Sequence, residues 1–410
     1  MFGRVKGLMD SGMGAADMDF RNLEGRVILF SDPFRPFFLF GALVAALAVP
    51  YWLVLMFSGL AWSGAREPVR WHIHEMLFGY LAAVLAGFLF TAIPNWTGRL
   101  PLRGGALICL FLLWLAGRIF MVAPVPPMVA LVVDSLFLIV IAGLAWREVL
   151  VGKNWRNTPI CLLVSLLAAA NILFQVDDTA AIGQRLGFAV AALLIALVGG
   201  RVTPSFTRNW LAERGQTSLP APFGAYDKVC VAALVLTMGL WTVDPSFELT
   251  GWCFLLTAGF HGWRLIRWRG VATFREPLVT ALHLGYLWLV LALGLMGCAV
   301  LWPHVIGETA ALHGLSAGAV GTMTLAVMTR ASLGHSGRAL KAGPATIAIY
   351  LMVTVGALFR IIGPALPMDY VMTMGAAAFF WSGAFALFAV TYGPNLIAHT
   401  TKADEKPGQA

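Results

Sequence analysis

Apolar runs of about 20 residues, the length a helix needs to cross a bilayer core of roughly 30 Å, follow one another along the whole chain. They cover residues 37–57, 72–93, 104–121, 128–150, 158–176, 183–202, 226–243, 249–266, 279–300, 309–328, 344–362 and 368–392, with short polar connections between them. The pattern predicts an all-α integral membrane protein, a bundle of about twelve transmembrane helices.

The connections alternate in charge. Arg99 and Arg103, then Arg147, Lys153 and Arg156, then Arg201, Arg208, Arg214 and Lys228, then Arg264, Arg267, Arg269 and Arg275, then Arg330, Arg338 and Lys341 fall on one side. The intervening connections hold mostly Asp177, Asp178, Asp244, Glu248 and Glu308. Basic loops stay inside, so both termini are expected in the cytoplasm. Trp62, Trp71, Trp96, Trp155, Trp210, Trp241, Trp252, Trp268 and Trp302 stand at or near the ends of the runs, where an amphipathic ring suits the headgroup level.

Composition agrees with this picture. The mean hydropathy is +0.81, and 59% of the 410 residues are hydrophobic against 12% charged, far from the balance of a soluble domain. The net charge of +8 is accounted for by topology, so nucleic acid is not an expected partner. No connection is long enough to fold by itself. One membrane domain is expected over 31–395, with a cytoplasmic arm at 1–30 and a cytoplasmic tail at 396–410. The five cysteines lie scattered in apolar runs without C-x-x-C spacing, which indicates neither a disulfide framework nor covalent haem attachment.

Ionisable and metal-ligating side chains at the edge of hydrocarbon are costly, and each is a functional candidate. His72, His74, Glu75 and Met76 open the second run at its outer end, and His313 lies about one turn into the tenth from the same side. His261 and His283 lie near the inner boundary on successive runs. Imidazole and thioether suit both the axial positions of a b-type haem and copper. His72 and His74 are two apart and point roughly 200° apart on a helix, so one can ligate while the other supports it, whereas His72 and Met76 share a face. Glu75 can orient an imidazole, ligate or relay protons. Below His313 a face runs through Ala317 and Gly321, flanked by Gly314 and Gly318; it can receive a flat macrocycle or pack tightly against a helix. Arg201 and Arg330, at inner helix ends, can pair with haem propionates or anchor the topology.

Three inner helix ends are alike: Thr91 to Thr97, Val202 to Thr207 and, more loosely, Met328 to Ser332. They close the second, sixth and tenth runs, which suggests an internal repeat of four helices.

The segment Ser31 to Phe38, the His72-x-His74-Glu75-Met76 stretch with Gly87 to Gly98, the Gly200-Arg201-Val-Thr-Pro204 turn, and His313 through Met328, Arg330, His335 and Arg338 together resemble the NnrS family. The resemblance implies a bacterial inner-membrane protein of about twelve spans containing haem b and copper, associated with nitric oxide resistance and denitrification. It carries over His72, His74, Glu75, Met76, Arg201, His283, His313, Arg330 and His335 as important positions. His335 falls in an inner connection, and would approach His283 if that connection folds back into the membrane.

The leading expectation is a haem- and copper-containing protein that binds or turns over nitric oxide or a metal-nitrosyl species, as an oxidoreductase if an electron donor serves it. Two alternatives stay open: a secondary transporter, which the span count and possible repeat suit, and a protein that hands haem or copper to other enzymes.

Overall fold

The computed structural model describes residues 28–97 and 102–397, and everything described is helix, turn or short connection, without strand. Most of the expected arm and tail, at 1–27 and 398–410, lies outside the described residues. Eleven of the described helices are long and apolar enough to cross a membrane. They are α1 Phe34–Phe57, α2 Pro68–Ile93, α3 Gly104–Val122, α4 Pro127–Val151, α5 Trp155–Gln175, α6 Asp177–Ala212, α7 Ala225–Val243, α9 Pro277–Leu301, α10 Glu308–His335, α11 Pro344–Ala365 and α12 Tyr370–Ile397. The remaining expected span is α8, Glu248–Ile266, of 19 residues. Its buried Thr250, Thr257, His261 and Arg264 lower its apolar character without shortening it.

The two ends of the bundle meet. Arg35, in the first turn of α1, donates to the carbonyl oxygens of Asn395 (3.0 Å) and Leu396 (3.3 Å) in the last turn of α12. A chain that enters and leaves on one side crosses an even number of times, so α8 crosses with the other eleven helices.

Three helices form the centre. In α2, α6 and α10, 78%, 72% and 72% of the most apolar stretch is buried, against 33% to 56% in the other eight apolar helices. The three touch one another: Tyr80 of α2 is bonded to Thr324 of α10, Met323 of α10 lies over Gly199 of α6, and Leu77 of α2 lies over Gly187 of α6. The other helices surround them, α1 packing on both α2 and α12.

The same three helices, and no other described one, change to π-helical winding, over Glu75–Tyr80, Ile195–Gly199 and Gly314–Val320. Wider winding releases carbonyls from the regular ladder, and they need other donors. Each stretch receives one side-chain donor from a surrounding helix. Trp114 Nε1 of α3 bonds Gly79 O at 3.0 Å, Arg264 Nη1 of α8 bonds Ala196 O at 2.9 Å, and Trp381 Nε1 of α12 bonds Ala317 O at 3.1 Å. Glycine opens the space for an intruding side chain at Gly79, Gly200 and Gly321, where a Cβ would collide with Arg118, Arg264 and Trp381 respectively.

Those three glycines are spaced evenly, 121 residues from one to the next. The interval recurs in whole helices: α3 and α7 begin at 104 and 225 and end at 122 and 243. The fold is therefore three four-helix repeats with the π-wound helix second in each. The predicted period of four helices is correct, but the motif that suggested it lies off this register, since Pro94 and Pro204 are only 110 residues apart. Four crossings per repeat leave all three repeats pointing the same way, unlike the inverted repeats of many transporters.

A direct consequence concerns Gly200. Its Cβ would stand 2.6 Å from Arg264 Nη2, on a guanidinium held by Asp227 Oδ1 (2.8 Å), Tyr286 Oη (2.8 Å) and Ala196 O. Gly200→Ala is expected to destabilise the protein by about 1–3 kcal/mol through overpacking. A thermal melt in detergent checks this, and an unchanged midpoint would show that Arg264 yields freely.

Candidate functional site

A cavity of about 250 Å³ opens in the half of the bundle away from the meeting of α1 and α12 at Arg35 and Leu396, the outer half in the expected orientation, bounded by α1, α2, α10, α11 and α12 with Gln184 and Phe188 of α6 at its side. Pockets that take organic ligands run from roughly 300 to 1,000 Å³, so this one falls just below that range. Its wall is mainly apolar and aromatic, with Trp52, Tyr80, Leu81 and Trp381 among its residues. Into it face His72 and Met76 from α2, His313 from α10, Arg360 from α11 and Met374 from α12.

The two imidazoles are held differently. His313 Nδ1 lies 2.7 Å from the carbonyl of Thr309, one turn earlier. Its N–H donates there, which leaves Nε2 as the lone-pair nitrogen, the arrangement that orients ligating histidines. His72 stacks on Trp52, with ring centroids 4.4 Å apart and planes at 20°. Its Nδ1 is buried without a partner, so packing fixes this ring instead of a hydrogen bond. Both histidines stand shortly before π-helical stretches, at Glu75 and Gly314.

His74 faces the other way, as the two-residue spacing requires. It is fully buried, with Nδ1 3.2 Å from Glu75 Oε1 and Nε2 2.9 Å from Asp134 Oδ2 and 3.0 Å from Asn171 Oδ1. Arg118 closes the cluster, donating to Glu75 Oε2 at 3.1 Å and to Asp134. Asn171 and Gln175 donate to Asp134 Oδ2 at 2.7 and 3.0 Å. With both ring nitrogens engaged, His74 is a structural member of this network. Glu75 is likewise tied to His74 and Arg118 and is not among the residues facing the cavity.

The inner candidates form no common centre. His261 is bonded through Nδ1 to Tyr286 Oη (2.7 Å) and through Nε2 to the Cys230 carbonyl (3.0 Å). His283 Nε2 meets Thr207 Oγ1 at 2.8 Å, while its Nδ1 is buried and unpartnered. His335 does not fold back toward it. Helix α10 continues regularly to His335, which is exposed and lies against the ring of Phe34, 5.4 Å between centroids. Arg201 reaches Asn157 (3.4 Å) and Arg330 stacks over Phe206 (4.0 Å), both at the inner ends of their helices and away from the cavity. The expected flat slot under His313 is half right. Ala317 lines the cavity, but Gly314 and Gly318 face Ala292 and Trp288 of α9, where they serve helix packing.

Sequence reasoning passed over Asp134, Arg118 and Arg360. A charged residue inside an apolar run was the available signal for the first two. For Arg360 it was a basic residue at an outer helix end, against the trend that keeps basic residues inside.

The resemblance implies haem and copper. The cavity offers donor types that haem uses: two imidazoles from different helices, one with Nε2 left free by its Thr309 bond, an apolar aromatic wall, and a guanidinium. The described residues contain no group of three or more His, Cys, Asp or Glu side chains placed to hold a metal ion. The soft donors Met76 and Met374 share the cavity with the two histidines, so copper would draw on the same donor set.

The fold defines a multi-pass α-helical membrane protein with an internal cavity lined by two histidines. The chain belongs to the NnrS family: the family model described as NnrS protein matches residues 28–399, which associates it with the response to nitric oxide. No curated protein matches the chain.

Proposed function

We propose that the cavity holds a b-type haem with His72 and His313 as its axial pair, and that the protein binds or processes nitric oxide there as part of bacterial resistance to it. The observation that carries this reading is the convergence of His72 and His313, from two central helices, on one apolar cavity. Haem iron, when bound, would supply a coordination site for nitric oxide in exchange for one of the two imidazoles. The chain supplies orientation, through the Thr309 carbonyl and the Trp52 ring. The apolar bundle gives a small neutral gas a route from the lipid, and the wall of Leu77, Leu81, Phe188 and Val320 limits water.

The membrane in this reading is the bacterial cytoplasmic membrane, with both termini inside. The meeting of α1 and α12 on the side that bears the basic connections supports that orientation. The paired imidazoles facing one cavity favour this reading over a secondary transporter. Elemental analysis and an optical spectrum of the purified chain test it. Iron near one equivalent with a Soret band is expected; a chain free of iron would end the reading. A copper-only result would assign the cavity to copper through the two imidazoles and the thioethers of Met76 and Met374.

A further inference from the structure

The outer half of the bundle carries five arginines among the described residues: Arg66, Arg70, Arg118, Arg185 and Arg360. Four are bonded to the protein. Arg66 donates to the Gln175 carbonyl, Arg70 to the Phe174 carbonyl and Asp177, Arg118 to Glu75 and Asp134, and Arg185 to the Thr242 carbonyl. Arg360 has no hydrogen bond and no ion pair among the described residues, yet it is half-buried in the wall of the cavity. Positive-inside anchoring does not explain a cation at an outer helix end. A guanidinium lining an apolar cavity without a counter-charge is costly, and it matches a carboxylate in planar, two-pronged fashion.

We propose that Arg360 anchors a carboxylate of the cavity's ligand. This rests on the haem reading, in which the acid groups are the propionates. The depths agree. His72 lies four residues into α2 and His313 five into α10, about 6 to 8 Å at 1.5 Å per residue. Arg360 lies five residues before Ala365, the outer end of α11. The cation therefore stands at about the level of the imidazoles in the wall of the same cavity, where an acid group of a ligand held there would meet it.

The test is a Soret titration of the purified, haem-depleted full chain with protohaem and, separately, with protohaem dimethyl ester, which lacks the carboxylates. The wild type is expected to bind the free acid roughly tenfold or more tighter than the ester, as for a charge-assisted hydrogen bond. Arg360→Gln should weaken the acid and leave the ester unchanged, and Arg360→Lys should recover part of the difference, with melting midpoints like that of wild type. Equal binding of acid and ester by the wild type, or undiminished preference in Arg360→Gln, overturns the anchor. If in that case the Soret band still depends on His72, the haem reading stands alone. A wild-type chain that binds neither compound overturns both.

Discussion

Replacing Arg118 by Met is expected to cost the fold on the order of 3–5 kcal/mol, because it leaves Glu75 and Asp134 buried without their cation. Arg118 is bonded to both carboxylates, and its side chain is only 8% exposed against 3% and 2% for theirs. The residue also does local work: its guanidinium stands over Gly79, in the π-helical turn whose carbonyl is taken by Trp114. Combining Arg118→Met with Glu75→Gln should recover part of the loss, since a cation and an anion leave together. Thermal melts in detergent of the two variants and the wild type check this. A single variant that melts with the wild type would show that the network is hydrated and contributes little.

Exchange of the outer histidines should separate two roles that lie two residues apart. His72→Ala and His313→Ala are each expected to remove most bound haem, with an unchanged melting midpoint for the depleted protein. His74→Ala should instead lower stability, by about 1–3 kcal/mol or more, because Asp134 and Asn171 lose a buried partner. His335→Ala should change neither property, because that ring is exposed against Phe34. Haem content per chain and the melting midpoint, measured on the same four preparations, distinguish these outcomes. Loss of haem in His335→Ala with retention in His72→Ala would reverse the assignment.

Hydrophobic run length located the helices, because crossing a bilayer sets a length that a window of residues reports directly. Even α8, with its polar load, was visible in this way. Helical periodicity also separated His72 from His74 and joined His72 to Met76, since a 3.6-residue turn fixes which side chains share a face. The period of four helices could be seen, but its register could not. That register rests on Gly79, Gly200 and Gly321, and glycine in a membrane helix serves packing as often as any repeat. The π-helical winding that gives these glycines their meaning depends on Trp114, Arg264 and Trp381, donors far away in sequence.

The site divided along the same line. Histidines at the mouths of spans announced themselves by their cost. Which arginine faces the ligand did not, because Arg201, Arg330 and Arg360 are alike as residues at helix ends. They differ in which neighbours reach them: Asn157 and Phe206 engage the first two, and no described residue hydrogen-bonds to, forms an ion pair with or stacks on the third. The buried network around Asp134 joins α2, α3, α4 and α5, a convergence of four segments that no local pattern records.

The convergence of His72 and His313 on a single iron is tested most directly by the EPR spectrum of the oxidised, purified wild-type protein beside its His72→Ala and His313→Ala variants. A low-spin ferric haem is predicted in the wild type, with any haem that remains in either variant turned high-spin. A wild-type spectrum without low-spin haem, or one that both substitutions leave unchanged, would contradict it.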